Sequence, residues 1–126
     1  MATVVIAEDD AALRGLFTRV LTRAGHHVDA CPDGGSALAR VRDHRPELVL
    51  TDVDMPPGMS GLDLLAMIRA TPDLAPIPVI VTTGGHLDSD TAAALGATLL
   101  LRKPVSPHDL TAHVDAILAV EPTTCS

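Results

Sequence analysis

The stretch LVLTDVDMPPGMSG, Leu48 through Gly61, decides the fold. Four mostly apolar residues run into Asp52, a second acid follows at Asp54, and the chain then breaks on two prolines and a glycine. A short apolar run without polar alternation is the pattern of a strand covered on both faces. Such a strand has two reasons to end on a carboxylate. Asp52 either closes an Asx turn, a common fate for Asp after a strand, or projects into a pocket shared with other strand ends.

The same pattern recurs on both sides. Val4 to Ala7 reads as a first strand, and His27 to Cys31 as a weaker second one. Leu48 to Thr51 is the third, Val79 to Thr82 the fourth and Thr98 to Leu101 the fifth. Between them the period changes from strand to helix. Leu13, Leu16, Phe17, Val20, Leu21 and Ala24 line one helical face that Gly25 ends. Pro32-Asp33-Gly34-Gly35 is a turn leading to a helix through Ala37, Leu38 and Val41 that stops before Pro46. Leu62, Leu65, Met67 and Ile68 predict a third helix, and Thr91 to Leu95 a short fourth one capped by Gly96. Ser106, Pro107 and Asp109 open a fifth, running to about Val120. Five βα units in series predict an α/β fold, a parallel sheet with helices on both faces.

Composition sets the outer limits. A chain of 126 residues with 47% hydrophobic content makes one domain with one core. Cys31 in a strand and Cys125 in the tail give no disulfide framework and suggest a reducing compartment, so the chain reads as cytoplasmic. No window approaches the ~20 apolar residues of a membrane span, so no membrane insertion is expected. Net charge is −7, with 16 acids against 9 bases and no basic stripe, which argues against a direct nucleic-acid partner. The single lysine is Lys103, so any role needing an ammonium falls on it alone. The six histidines have no metal-site spacing. His26 and His27, as neighbours in a strand, are expected on opposite faces.

In parallel α/β sheets, ligand chemistry sits beyond the carboxyl ends of the strands. The residues there are Glu8, Asp9 and Asp10, then Asp52 and Asp54, then Thr82, Thr83 and Gly84, then Arg102, Lys103 and Pro104. Each group has a bland reading: helix capping for the first acids, an Asx turn for Asp52, an ordinary strand end for Thr83, a solvated lysine for Lys103. Their convergence on one sheet edge favours a site. Clustered carboxylates repel unless a cation or lysine neutralises them. Hard oxygen ligands beside a phosphate-pairing lysine suit Mg2+.

These motifs, VVIAEDD, LVLTDVDMP, PVIVTTG and LRKP, in this order, resemble the receiver domain of two-component response regulators, over nearly the whole chain. The resemblance implies a flavodoxin-like (βα)5 three-layer sandwich with strand order 2-1-3-4-5, a receiver domain over 1–121 and a tail over 122–126. It implies that Asp52 accepts a phosphoryl group from a sensor histidine kinase or a histidine phosphotransfer protein. Glu8 and Asp9 match the acidic pair that holds Mg2+, with Mn2+ as a substitute. Asp52 joins them as a ligand, and Asp54 contributes its backbone carbonyl. Thr83 matches the switch hydroxyl and Lys103 the phosphate-pairing lysine. The domain would act as a signalling switch rather than a turnover enzyme, its fourth helix, fifth strand and fifth helix, with Leu95 and Leu99, being read by a downstream protein or output domain.

Departures from the family pattern are an extra loop residue near Pro57 and Leu100 where an aromatic is usual. A Gly84-Gly85 pair also leaves the pocket mouth open. They keep a second reading in view, a pseudo-receiver acting as a phosphorylation-independent interaction module. DVDMP also resembles the first motif of haloacid-dehalogenase-type phosphatases, but the further acidic pair of that family is missing. A flavin or nucleotide module would want a phosphate cradle where the chain has three acids.

Overall fold

The computed structural model describes residues 2–55 and 58–119. Strands and helices alternate: β1 (Thr3–Ala7), α1 (Ala11–Arg23), β2 (His27–Cys31), α2 (Gly34–His44), β3 (Leu48–Asp52), α3 (Gly61–Ala70), β4 (Val79–Thr83), α4 (Ser89–Ala94), β5 (Leu99–Arg102) and α5 (Pro107–Leu118). The sheet order is β2-β1-β3-β4-β5 and every pairing is parallel, the expected flavodoxin-like arrangement.

Strand alternation sorts the side chains into two cores, one on each side of the sheet. Val4, Ile6, Leu48, Leu50 and Ile80 pack with Phe17 and Leu21 of α1 and Leu110 and Val114 of α5. Val5, Ala7, Val49, Val79 and Val81 pack with Ala37, Leu38 and Val41 of α2 and Leu64, Leu65 and Ile68 of α3. These are the three layers. Because β1 and β3 are buried on both faces, Val4 to Ala7 and Leu48 to Leu50 are apolar without alternation, and the polar residues of β3, Thr51 and Asp52, come only at its carboxyl end, where their burial carries a desolvation cost.

Each helix begins on a side-chain cap: Asp10 for α1, Asp33 for α2, Ser60 for α3, Asp88 for α4 and Ser106 for α5. Ser60 and Asp63 form a reciprocal capping box. Such caps satisfy amides that the first turn leaves without partners. At the other end of α4, Gly96 has φ +104°, the left-handed conformation of a helix stop.

Several boundaries differ from the sequence reading. Asp33 is a cap and Gly34 and Gly35 belong to α2 rather than to the preceding turn. Gly34 is required by packing, since a Cβ there would lie 2.7 Å from the Met59 carbonyl oxygen. Strands β3 and β4 extend one residue further, through Asp52 and Thr83, β5 is shifted one residue onward, and α4 starts at Ser89. His26 lies outside β2; its largely buried ring faces Asp115 of α5, with Nε2 and Oδ1 3.4 Å apart. The expected end of α5 at Val120, the 122–126 tail and the site of the Pro57 insertion fall outside the described residues.

Candidate functional site

The chain leaves β1 and β3 toward opposite faces of the sheet, so a cleft opens between their carboxyl ends. Glu8 follows β1, and its amide donates to the Cys31 carbonyl at 3.0 Å, continuing the β1–β2 ladder past Ala7. Its carboxylate is 1% exposed. Asp52, 6% exposed, is the last residue of β3 and lies opposite Thr82 of β4. Carboxylate oxygens of Glu8, Asp9 and Asp52 all lie within 4.8 Å of one another, a grouping able to hold a metal ion. Asp10, the third acid of that run, turns away from them to cap α1 through Ala12 and Leu13.

Lys103 reaches this group from the end of β5. Its Nζ lies 3.1 Å from Asp52 Oδ2 and 3.2 Å from Glu8 Oε1. The Lys103–Pro104 peptide is cis. One ammonium thus bridges two of the three clustered carboxylates, leaving an excess of negative charge; Glu8 and Asp52 are buried and Asp9 is exposed. Burial pushes the Glu8 carboxyl up to about 7, opposed by the Asp10 amide hydrogen bond and reinforced by the Asp52 charge. Burial alone would lower the Lys103 ammonium, but hydrogen bonds and charge from Asp52 and Glu8 outweigh it and hold the group above its ordinary value.

Thr83, 1% exposed, ends β4. Its hydroxyl accepts from the Gly85 amide at 2.9 Å, and its carbonyl accepts from the Lys103 amide at 2.8 Å. Gly84 and Gly85 are exposed, and a Cβ on Gly84 would meet nothing within 4 Å, so the loop after Thr83 is open as its composition suggests. The Asp54 amide donates to Asp52 Oδ1 at 3.4 Å while its side chain is exposed, outside the carboxylate group.

Gly61 seats the β3–α3 loop. A Cβ there would fall 1.8 Å from the Asp52 carbonyl oxygen, so the start of α3 lies directly against the backbone of the acid it flanks. The Gly61 amide donates to Val53 and the Val53 amide to Thr82, both at 2.9 Å. A large cavity, about 570 Å³, lies at the opposite edge of the sheet between Pro46, Pro78, Ile117 and Leu118, away from every group just described.

A family model for the response regulator receiver domain matches residues 4–115. The chain belongs to that family. The receiver domain is 38% identical over 116 residues to the two-component response regulator PhoP of Pseudomonas aeruginosa, covering 91% of this chain and 51% of that protein. It is 36% identical over 120 residues to the transcriptional regulatory protein AfsQ1 of Streptomyces coelicolor, 94% of this chain and 52% of that protein. Another relative, the DNA-binding response regulator MtrA of Mycobacterium tuberculosis, is 36% identical over 117 residues, 91% of this chain and 50% of its own length. The chain thus spans about half the length of these relatives. Among solved structures, the chemotaxis protein CheY4 of Vibrio cholerae superposes with a TM-score of 0.85 at 28% identity, covering 93% of this chain and 98% of that one. The signal receiver domain of a signal transduction histidine kinase from Syntrophus aciditrophicus gives 0.85 at 27% identity, covering 100% and 99%.

Sequence reasoning placed Glu8, Asp9, Asp52, Thr83 and Lys103 at the right strand ends but overlooked their supports. Arg14 Nη1 donates to the Glu8 carbonyl at 2.9 Å from the first turn of α1. Arg102 holds two carbonyls of the β4–α4 loop. Thr82 Oγ1 is buried without a hydrogen-bond partner among the described residues. Leu100, where the family usually has an aromatic, packs partly buried against the same core as Leu87 and Ala97. Of the basic residues, only Lys103 was distinguishable beforehand, being the sole ammonium.

Proposed function

We propose that this receiver domain accepts a phosphoryl group on Asp52 from the phosphohistidine of a sensor kinase or phosphotransfer protein, in a Mg2+-dependent reaction, and thereby switches an output surface. The reading rests on the buried arrangement in which Lys103 Nζ bridges Asp52 and Glu8 while Asp9 completes an acidic group.

Asp52 attacks phosphorus through a carboxylate oxygen; the O–P bond forms as the N–P bond to histidine breaks, and the leaving imidazole takes the electron pair. Lys103, now paired with Asp52 and Glu8, is placed to follow the added charge onto a phosphoryl oxygen. The Thr83 hydroxyl can donate to another such oxygen. Glu8, Asp9 and Asp52 would hold the metal, with the Asp54 carbonyl as a further ligand. The donor set fits: hard carboxylate oxygens in excess over one ammonium, with Glu8 resisting ionisation until a cation compensates its burial. When bound, Mg2+ supplies Lewis-acid neutralisation of the phosphoryl oxygens.

The face formed by α4, β5 and α5 would carry the signal, with Leu95, 47% exposed, as an apolar point on it. Leu99 and Leu101, by contrast, pack partly buried toward the α1 and α5 core. Among the described residues no helix is long and apolar enough to cross a membrane. The DNA binding in the names of some relatives belongs to proteins about twice as long and is not assigned to this chain.

Intact-protein mass after incubation with acetyl phosphate and Mg2+ tests the proposal. One phosphoryl adduct is expected, absent from Asp52→Asn and from a chelated control. No adduct, even at short times in the cold, would leave the domain as a phosphorylation-independent interaction module.

A further inference from the structure

Arg102 closes β5 opposite Thr83, its register partner in β4. Its guanidinium reaches back over the β4–α4 loop, Nη1 donating to the Gly85 carbonyl at 3.1 Å and Nη2 to the Leu87 carbonyl at 2.7 Å. The loop between Thr83 and α4 therefore has two kinds of anchor. One is internal, from the Gly85 amide to the Thr83 hydroxyl. The other is this two-pronged clamp from the neighbouring strand. The same guanidinium lowers the Asp88 carboxyl by charge, after the larger effects of Thr91 hydrogen bonds, so its field extends to the N-cap of α4.

The segment so held would otherwise move easily. Gly84 and Gly85 carry no side chain, and Gly84 faces open space. A planar guanidinium holding carbonyls two residues apart fixes the local curvature of the loop, because its donors form a rigid fork. Rotation at Gly84 or Gly85 that draws the Gly85 amide away from the Thr83 hydroxyl, freeing that side chain to turn, would pull at least one carbonyl off the fork.

We infer that Arg102 is a positioning residue for Thr83: it latches the β4–α4 loop in the unphosphorylated arrangement, where the Thr83 hydroxyl is held by its own loop, and must yield for that hydroxyl to serve a phosphoryl group on Asp52. The inference rests on the phosphoacceptor reading above. Contacts that stabilise only the resting state lower the affinity for any ligand that selects the other state, by the factor they contribute to the resting population. Because Arg102 is exposed, that factor is modest, about threefold to tenfold.

Arg102→Met keeps an apolar stem without donors, and Arg102→Lys offers one point charge in place of the fork. Two measurements on the full chain separate a latch from a mere brace. Hydrogen exchange of backbone amides, without phosphodonor or metal, should quicken about threefold to tenfold over residues 84–92 in Arg102→Met, less in Arg102→Lys, with β1 and β3 unchanged. Binding of beryllofluoride with Mg2+, followed by fluorine NMR, should be about threefold to tenfold tighter in Arg102→Met than in the parent. Unchanged exchange overturns the clamp. Faster exchange with equal or weaker beryllofluoride binding overturns the latch and makes Arg102 only structural support. If the parent itself fails to bind beryllofluoride, the phosphoacceptor reading falls and the role of Arg102 with it. Parent binding with an unaffected variant removes only the latch.

Discussion

Glu8→Gln should make the metal-free protein more stable at pH 8 and less able to respond to Mg2+. In the folded chain burial raises the Glu8 carboxyl from 4.5 to about 7. A raised carboxyl means that the folded state holds its proton more tightly than the unfolded state does. The associated stability is therefore complete below about pH 4.5 and is lost as pH climbs through about 7. The rise corresponds to about 3 kcal/mol against ionising Glu8 in place. Glutamine removes that penalty and keeps an oxygen for the Asp10 amide; the attraction to Lys103 at 3.2 Å is already contained in the raised value, and what reduces the gain is the imperfect fit of an amide NH2 beside the ammonium. The net gain at pH 8 should thus be about 1–3 kcal/mol.

Urea unfolding at pH 5 and pH 8, with chelator, measures it. The informative quantity is the difference between variant and parent, because every other group contributes equally to both. Lys103, held above its ordinary value, stays charged throughout. The parent should lose stability relative to Glu8→Gln between the two pH values, and millimolar Mg2+ at pH 8 should restore the parent but not the variant. A variant no more stable than the parent at pH 8, with the same dependence on pH, would refute the view that burial of ionised Glu8 strains the metal-free site.

Gly61→Ala forces a methyl to 1.8 Å from the Asp52 carbonyl oxygen, so either α3 or the end of β3 must shift; a loss of about 2–4 kcal/mol in chemical denaturation is expected, and a loss below about 1 would show that the junction is slack. Thr82→Val replaces a buried hydroxyl that has no partner among the described residues by a methyl of similar shape, so a gain of about 1 kcal/mol is expected in the same assay, whereas a loss would reveal a partner for the hydroxyl.

The alternation of apolar runs with helical periods was enough to predict five strands, five helices and a parallel sheet, because period and burial are local consequences of backbone geometry. Caps such as Ser106 were readable for the same reason: they act on amides two or three residues away. Glu8, Asp9, Asp52, Thr83 and Lys103 could be named because each lies at a strand end, and parallel topology collects strand ends on one edge. The resemblance to a known family sharpened their roles.

The resemblance already sets Glu8 and Asp9 apart from Asp10; the tertiary structure supplies the physical reason, with Asp10 capping α1. Glu8 and Asp10 are chemically similar, and what separates them is burial against Lys103 for one and exposure over α1 for the other. The elevation of the Glu8 carboxyl is likewise tertiary: burial raises it, the charge of Asp52, 44 residues away, adds to the rise, and Lys103, 95 residues away, opposes it. Gly61 looks like any loop glycine until the Asp52 carbonyl is found against it. Arg102, one of eight arginines by composition, acquires its two carbonyl partners only when β5 is laid beside β4. Local pattern determines which elements form; the distances that create chemistry are set by elements meeting across the sheet, where sequence separation carries no information.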